Sequence, residues 1–346
     1  MPRRYFDANA TVPPLPGAVE AVAAAMREAW GNPTSTHFEG QRARHLLEEA
    51  RRAIASSLRV RPAELVFCAS ATEALNLLLR GLQPALGGKP AAVFPGEHSA
   101  CLHPLEAWSR VHWLPEIPDP CALVVQMAAN NETGLLYPMP QPKDAVRVAD
   151  CAQAWGKVPV DLGNCDAAVF SGHKIGGPRG TGLLWMRPGL PWTAWMEGPQ
   201  ERRRRGGTED LPAILGLAAA VEQLPERLAQ NTALSGLRDA LETEILGWGL
   251  GVEVIGRGMP RLPNTSCLLL RGRIGENVHM ALDLAGFAVS TGSACHSGAT
   301  RPSHAVMTLG YSEAEARSAL RVSMLPGTSE TDVAALAEAL KMALST

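Results

Sequence analysis

The sequence has no long hydrophobic run, no closely paired cysteines and no excess of charge of one sign. Because no stretch of about 18 apolar residues occurs, we expect no membrane span. The opening MPRRYFDANA lacks the apolar core of a signal peptide, so we expect a cytoplasmic protein. Lys and Arg total 32 and Asp and Glu total 34, for a formal net charge of -2. We therefore expect no general attraction to nucleic acid or to an anionic membrane.

The seven cysteines include no pair with C-x-x-C spacing, which disfavours both a disulfide framework and a structural zinc site. We expect no metal. Cys295 lies among small polar residues, STGSA before it and HSGA after it, and this composition predicts a loop rather than a core position. The other six are interpreted as small buried hydrophobic side chains. They are Cys68, Cys101, Cys121, Cys151, Cys165 and Cys267.

Short apolar runs alternate with helical patterns through the first half of the 346 residues, which indicates an α/β fold. Several runs are apolar throughout, as in parallel strands buried on both faces. Helical patterns cover about 41–58 and 72–82. We predict a large domain with a mainly parallel seven-stranded sheet. The predicted strands are 64–68, 91–94, 111–114, 122–127, 145–149, 167–170 and 182–186.

The C-terminal part mixes helical and strand patterns and predicts a smaller α+β domain. We place the large domain at 12–248 and the small domain at 1–11 together with 249–346. One long helix is predicted from 211 past Pro225 to 246. The later predicted strands are 251–255, 265–270 and 320–324, and the later predicted helices are 276–285, 313–319 and 329–344.

Two connections between predicted strands are short and rich in proline. A crossover between parallel strands needs a dozen or more residues, usually a helix. The segment LLYPMPQPKD at 135–144 holds three prolines, and 115–121 also holds three. Proline disrupts helices. We predict either abbreviated connections or neighbouring strands that are not simple parallel pairs.

A lysine stands where a predicted strand runs into a glycine-rich turn, in the sequence SGHKIGGPRGTG. Small neighbours let a cofactor approach the backbone, and a lysine amine becomes nucleophilic when its environment lowers its pKa. Lys174 is therefore a candidate to hold a cofactor covalently, and Ser171 and His173 are candidate donors to a phosphate. For this motif alone, the alternative is a solvated lysine on a glycine turn.

Two more strand ends carry residues suited to pyridoxal phosphate (PLP). Asp150 ends an apolar run, where α/β sheets bind ligands, and its carboxylate suits a protonated pyridine nitrogen. Gln153 is spaced to reach the ring phenolate oxygen. Ala71 and Thr72 open a helix, whose N-terminus is a ready anion site. The alternatives are a helix N-cap for Asp150 and an ordinary cap for Thr72.

In combination, ten motifs resemble those of cysteine desulfurases of the class V aminotransferase family, the iron–sulfur-cluster type. The resemblance runs nearly end to end and keeps its order, and it implies a fold-type I PLP enzyme that forms a homodimer. The motifs are YFDANAT (5–11), GNPTSTH (31–37), ATE (71–73), EH (97–98), NNETG (130–134), DCAQ (150–153), SGHK (171–174), RGGT (205–208), STGSAC (290–295) and ALRVS (319–323).

The resemblance also implies particular roles. Lys174 would carry the cofactor and act as general base, and His98 would stack on the pyridine ring and move a proton. Asn131 would contact the cofactor and the substrate, and Thr208 would reach the phosphate of the partner subunit. Arg321 would bind the substrate carboxylate through its planar fork.

The implied reaction converts L-cysteine to L-alanine and moves the sulfur, as a persulfide on Cys295, to an acceptor protein such as an iron–sulfur scaffold or a thiolation protein. Selenocysteine lysis and transamination on the same scaffold remain alternatives. The sequence departs from the family at 68–70, where Cys-Ala-Ser replaces Thr-Ser-Gly, and at His296, which either lowers the thiol pKa or is simply exposed. The basic run 202–205 is too short for a nucleic-acid patch.

Overall fold

All seven predicted strands of the first half form in the computed structural model, which describes residues 3–291 and 302–345. Up to residue 246 the strands and helices are β1 (Arg4–Tyr5), α1 (Pro16–Glu28), α2 (Phe38–Leu58), β2 (Leu65–Cys68), α3 (Ala71–Leu86), β3 (Ala91–Val93), α4 (Ser99–Leu105), β4 (Val111–Trp113), β5 (Leu123–Met127), β6 (Val146–Asp150), β7 (Ala167–Ser171), β8 (Gly182–Met186), α5 (Gln200–Arg203), α6 (Leu211–Glu222) and α7 (Leu224–Leu246).

These strands form one sheet in the order β2-β8-β7-β6-β5-β3-β4. The pairs from β7 across to β4 are parallel, whereas β8 is antiparallel to both of its neighbours. Every residue of β2, β5, β7 and β8 is buried, which explains why these segments are apolar throughout. The predicted mainly parallel sheet is confirmed.

Helices cover both faces of this sheet because alternate residues of each strand point to opposite sides. Ala168 and Phe170 of β7 pack in the core on the side of α1, α2 and α6. Ala167 and Val169 pack in the core on the side of α3 and α4. The carboxyl ends of the parallel strands are thereby held along one edge of a rigid layer.

Neither of the two proline-rich connections contains a helix. The chain passes from the edge strand β4 to β5 through 114–122, and from β5 to β6 through 128–145. Because β3 pairs in parallel with both β4 and β5, and β5 pairs in parallel with β6, the strands joined by these abbreviated connections all belong to the parallel part of the sheet. The first of the two expected arrangements is therefore correct.

The rest of the described chain is α+β, as predicted. Its elements are β9 (Val252–Val254), β10 (Thr265–Leu270), α8 (Gly275–Leu284), β11 (Phe287–Ala288), α9 (His304–Met307), α10 (Glu313–Ala316), β12 (Ala319–Ser323) and α11 (Glu330–Ser345). A three-stranded antiparallel sheet has the order β12-β10-β9, and β1 from the N-terminus pairs in parallel with β11. Residues of α7 pack in the same core as this part, so the division at residue 248 stays a prediction.

Two helix predictions are wrong in extent. The single helix predicted over 211–246 is two helices, since α6 ends at Glu222 and α7 begins at Leu224 with Pro225 in its first turn. Proline is tolerated there because the N–H groups of the first turn have no acceptor within the helix, so no hydrogen bond is lost. The helix predicted at 313–319 ends at Ala316, and β12 starts at Ala319. Among residues 3–291 and 302–345, no helix combines the length and apolar character that crossing a bilayer requires.

Candidate active site

A cavity of about 290 Å³ lies at the carboxyl ends of the parallel strands, where ligands bind in open α/β sheets. Met127, Asp150 and Ser171 line it from the ends of β5, β6 and β7. Asn9 and Ser290 enter from the smaller α+β part. Ten predicted site residues line this one cavity: Ala71, Thr72, His98, Asn131, Asp150, Gln153, Ser171, His173, Lys174 and Arg321.

The start of α3 forms one end of the cavity. Ser70 caps this helix by accepting a hydrogen bond from the Glu73 amide at 3.0 Å, so the cap alternative for Thr72 is wrong. The amides of the first turn have no partner within their own helix. A Cβ at Gly182 would lie 2.3 Å from the Ser70 carbonyl carbon, so glycine lets β8 pack closely here. Thr72 is thus left as a hydroxyl donor in the first turn of α3, and the N-terminus of a helix favours an anion.

Asp150 is a buried carboxylate at the end of β6. Its Oδ1 accepts from the Ala152 amide at 2.8 Å, but only turns follow, so it caps no helix. Burial raises the pKa of Asp150, while the nearby His98 and Lys174 oppose that shift. A buried carboxyl of this kind ionises readily only beside a cationic partner. The site thus offers a place for a protonated ring nitrogen.

Lys174 lies at the end of a single 3-10 turn that follows β7. Its Nζ donates to the carbonyl oxygens of Asn9 and, at 2.8 Å, of Ala10. A Cβ at Gly172 would lie 2.1 Å from the Thr181 Oγ1, so the turn needs glycine. Lys174 is half-buried and lines the cavity, which favours a cofactor-binding lysine over a solvated one.

His173 and His98 flank the lysine. His173 Nδ1 is 3.0 Å from Thr11 Oγ1, and burial, followed by Lys174, lowers the His173 pKa to about 4. His173 is therefore neutral at pH 7. His98 caps α4 by accepting from the Ala100 amide at its Nδ1, at 3.1 Å. In the neutral ring this places the proton on Nε2.

Arg321 of β12 enters from the smaller α+β part, with its side chain buried. One amino group donates to Asp7 Oδ1 at 2.5 Å and the other to the Asn131 carbonyl at 2.9 Å. Its Nε–H is buried and has no partner among the described residues. An unsatisfied buried donor is costly, so this edge of the guanidinium is suited to a ligand carboxylate.

The backbone of Arg321 also holds the segment that precedes Cys295. Its N–H donates to the Ser290 carbonyl at 2.7 Å, and its carbonyl accepts from the Ser290 amide at 3.1 Å. Ser290 lines the cavity. Cys295 and His296 lie outside the described residues.

Thr208 is the one described site prediction that the cavity does not include. It is exposed, and the structure does not bring it to the cavity of its own chain. The six other cysteines are buried, as predicted. Within the described ranges, no group of three or more His, Cys, Asp or Glu side chains is arranged to hold a metal ion.

Four polar residues at or behind the cavity carry no assigned role in the sequence pattern: Asp7, Asn9, Glu97 and Lys157. Asp7, Asn9 and Glu97 lie within motifs of the resemblance, and this position could have identified them as site residues from the sequence. Glu97 is buried and accepts from the Met127 amide. Burial, followed by Asp150, raises the pKa of Glu97 well above its usual range. Lys157 carries no local signal.

Comparison with known proteins identifies the family. The model of the aminotransferase class-V family matches residues 4–115 and 112–336. A cysteine desulfurase of Cereibacter sphaeroides is 35% identical over 373 residues, covering 98% of this chain and 95% of that protein. A solved NifS-like protein superimposes with a TM-score of 0.89 at 29% identity, covering 99% of both chains. The structure of SspA in complex with cysteine gives a TM-score of 0.79 at 26% identity, over 93% of this chain and 99% of that one.

These matches extend over nearly the whole chain and agree with the order of the motifs and with the fold. By sequence and by architecture, the chain belongs to the aminotransferase class-V family.

Proposed function

We propose that this chain is a PLP-dependent cysteine desulfurase, which converts L-cysteine to L-alanine and transfers the sulfur as a persulfide on Cys295. The observation that carries the proposal is the meeting of Lys174, Asp150 and Arg321 around one cavity. These three residues come from separate strands and motifs. They supply an amine, a buried carboxyl and a carboxylate-binding fork. The relatives named above are a cysteine desulfurase, a NifS-like protein and a protein whose structure is a complex with cysteine.

The residues of the cavity fit PLP. Lys174 provides the amine that would hold its aldehyde, and the raised pKa of buried Asp150 suits pairing with a protonated ring nitrogen. The first turn of α3, with Thr72 and Ser171, provides N–H and O–H donors for a phosphate. When bound, PLP supplies an electron sink that labilises the α-proton and the C–S bond of an amino acid.

Arg321 and Lys174 divide the handling of the substrate. The Nε edge of Arg321 would bind the substrate carboxylate, and the adjacent Asn131 would border the same pocket. Once its amine is released, Lys174 would take the α-proton as general base. The carbonyls of Asn9 and Ala10 hold that amine at the cavity wall, which limits where the proton can be accepted.

Cys295 would receive the sulfur. Its thiolate attacks the substrate sulfur, a new S–S bond forms, and the C–S electron pair returns to the substrate carbon. His98 would act as the general acid that protonates that carbon, which gives alanine. Cys295 is five positions after Ser290, which lines the cavity, and a chain of that length spans up to about 17 Å.

We further propose a cytoplasmic homodimer. Beside the active site lies an apolar cavity of about 700 Å³, and its lining includes residues of α1, residues 11–14 before it, His173 and residues 177–179. Trp30 and Phe38 are 71% and 73% exposed. Large exposed apolar surfaces mark interfaces. A second copy of the chain would cover the apolar cavity and these two exposed side chains. The exposed Thr208 would then be available to the partner's phosphate site, and sulfur would pass to an acceptor protein such as an iron–sulfur scaffold.

The experiment that tests the function is product analysis after cysteine is added to the holoenzyme. We expect equal amounts of alanine and transferable sulfur, and loss of both in Lys174→Ala. Lys143→Ala, at an exposed lysine, is the matched control and should behave like the wild type. Formation of a keto acid in place of alanine would instead indicate transamination.

A further inference from the structure

Lys157 is a buried lysine directly behind the wall of the active-site cavity. Its side chain lies in the turn that follows β6, and only 3% of the residue is exposed. Its Nζ donates to Gln153 Oε1 at 2.5 Å and to Asn9 Oδ1 at 2.7 Å. It does not line the cavity, but both of its partners do.

The surroundings of Lys157 disfavour a charge on its amine. Burial lowers its pKa well below the ordinary value, and the nearby cations lower it further, against the opposing effect of Asp7. Both hydrogen bonds of the amine, to Gln153 and to Asn9, are ones in which it donates. The cations that act on Lys157 are Lys174, Arg321 and Arg227.

These two hydrogen bonds determine which end of the Gln153 amide faces which neighbour. Oε1 accepts from Lys157, and Nε2 donates to the Asn9 carbonyl at 2.8 Å. Turning the amide over would place its NH₂ against an amine that donates and its oxygen against a carbonyl. Both contacts would be unfavourable. The second N–H of Gln153 is therefore presented to the cavity.

Asn9 extends the same network to the substrate side. Its Nδ2 donates to the Asn131 carbonyl at 3.2 Å and to Thr265 Oγ1 at 2.9 Å. The same Asn131 carbonyl accepts from Arg321. Lys157 thus connects the Gln153 amide, on the proposed cofactor side of the cavity, to Asn9. Asn9 in turn contacts the Asn131 carbonyl on the proposed substrate side.

We propose that Lys157 is a positioning residue that holds Gln153 so that an amide N–H, and not the amide oxygen, faces the ring phenolate oxygen of the bound cofactor. The inference rests on the proposed PLP function. A donor at that oxygen stabilises its negative charge, so the chromophore loses its proton at a lower pH. Without Lys157, the Gln153 amide is free to turn over and the donor is lost for part of the time.

The test is a pH titration of the visible absorbance of the holoenzyme in the wild type, Lys157→Met, Gln153→Ala and the double variant. We expect each single substitution to raise the midpoint by about one pH unit, the worth of one charge-assisted hydrogen bond. The double variant should show no further rise, because Lys157 acts through Gln153. An unchanged midpoint in Lys157→Met, or shifts that add in the double variant, would overturn the inference.

A second measurement needs no variant, should Lys157→Met fail to fold. In wild-type protein labelled with ¹⁵N-glutamine, addition of PLP should strongly shift one of the two Gln153 amide protons, while the other stays on the Asn9 carbonyl. Equal shifts, or none, would contradict the inference. A wild type that acquires no chromophore with PLP would reject the proposed function itself, whereas a normal chromophore with an unmoved midpoint would reject only the role of Lys157.

Discussion

Arg321 donates to Asp7 at 2.5 Å through one amino group, while its buried Nε–H is unsatisfied among the described residues. The pair joins β12 to the segment after β1, so two distant parts of the chain orient the guanidinium. Both amino groups are held by protein, and the Nε–H alone lacks a partner among the described residues. The guanidinium is therefore fixed in orientation and still has one donor left for a ligand.

Arg321→Lys should raise the KM for cysteine about 10- to 100-fold with a smaller effect on kcat. An ammonium cannot reproduce the planar fork, so one or two hydrogen bonds to the carboxylate are lost. Steady-state kinetics on the holoenzyme measures this. Arg317→Lys, at an exposed arginine before the same strand, is the control, and an unchanged KM in Arg321→Lys would contradict the assignment.

Glu132→Gln should flatten the dependence of stability on pH. Burial raises the Glu132 pKa to about 7, although Ser303 and Arg321 oppose the shift. The folded-state pKa lies above the unfolded value of 4.5, so the contribution of Glu132 to stability is fully present below about pH 4.5 and is lost as the pH rises to about 7. We expect a loss of about 2 kcal/mol over this window, discounted for partial solvent screening.

Urea denaturation at pH 5 and pH 8 measures the effect of Glu132. The wild type should lose more stability than Glu132→Gln between these two values. Ser303 donates to Glu132 Oε2 at 2.5 Å, and the glutamine keeps an oxygen acceptor for that bond. Parallel stability curves for the two proteins would show that Glu132 is already ionised at low pH.

Glu201→Gln should destabilise the fold by about 3 kcal/mol. Arg51 and Glu201 form a buried bidentate pair at 2.9 and 2.6 Å, and removing the Glu201 charge leaves the buried Arg51 with only the partly exposed Glu48 as an ionic partner. Glu28→Gln, which breaks the exposed Arg42–Glu28 pair, should cost less than about 1 kcal/mol. Denaturation of both variants gives the comparison, and equal effects would contradict the account of burial.

The strands and the polar residues at their cavity-lining ends could be predicted because their signals are local. Asp150 and Lys174 each follow a run of buried apolar residues, and the carboxyl ends of parallel strands meet along one edge. The break between α6 and α7 was not predicted, because the apolar pattern continues through Gln223 and proline is equally compatible with a first turn.

Contacts between distant segments could not be predicted from the sequence pattern. Lys157 is 148 positions from Asn9, and nothing near it in the sequence indicates that its amine is buried. The pairing of Arg321 with Asp7 spans 314 positions. The proposed role of Arg321 was accessible only through the resemblance, and so was that of Thr208, which the proposal assigns to the cofactor site of a partner subunit.

The most direct test of the account is mass spectrometry of the holoenzyme after brief exposure to cysteine, without an acceptor. We expect one added sulfur atom on the peptide containing Cys295, removable by a thiol reductant, and none in Lys174→Ala. Cys295→Ala should keep the chromophore of the wild type but form no persulfide. A persulfide absent from Cys295 in an enzyme that still makes alanine, or full sulfur transfer by Cys295→Ala, would contradict the account.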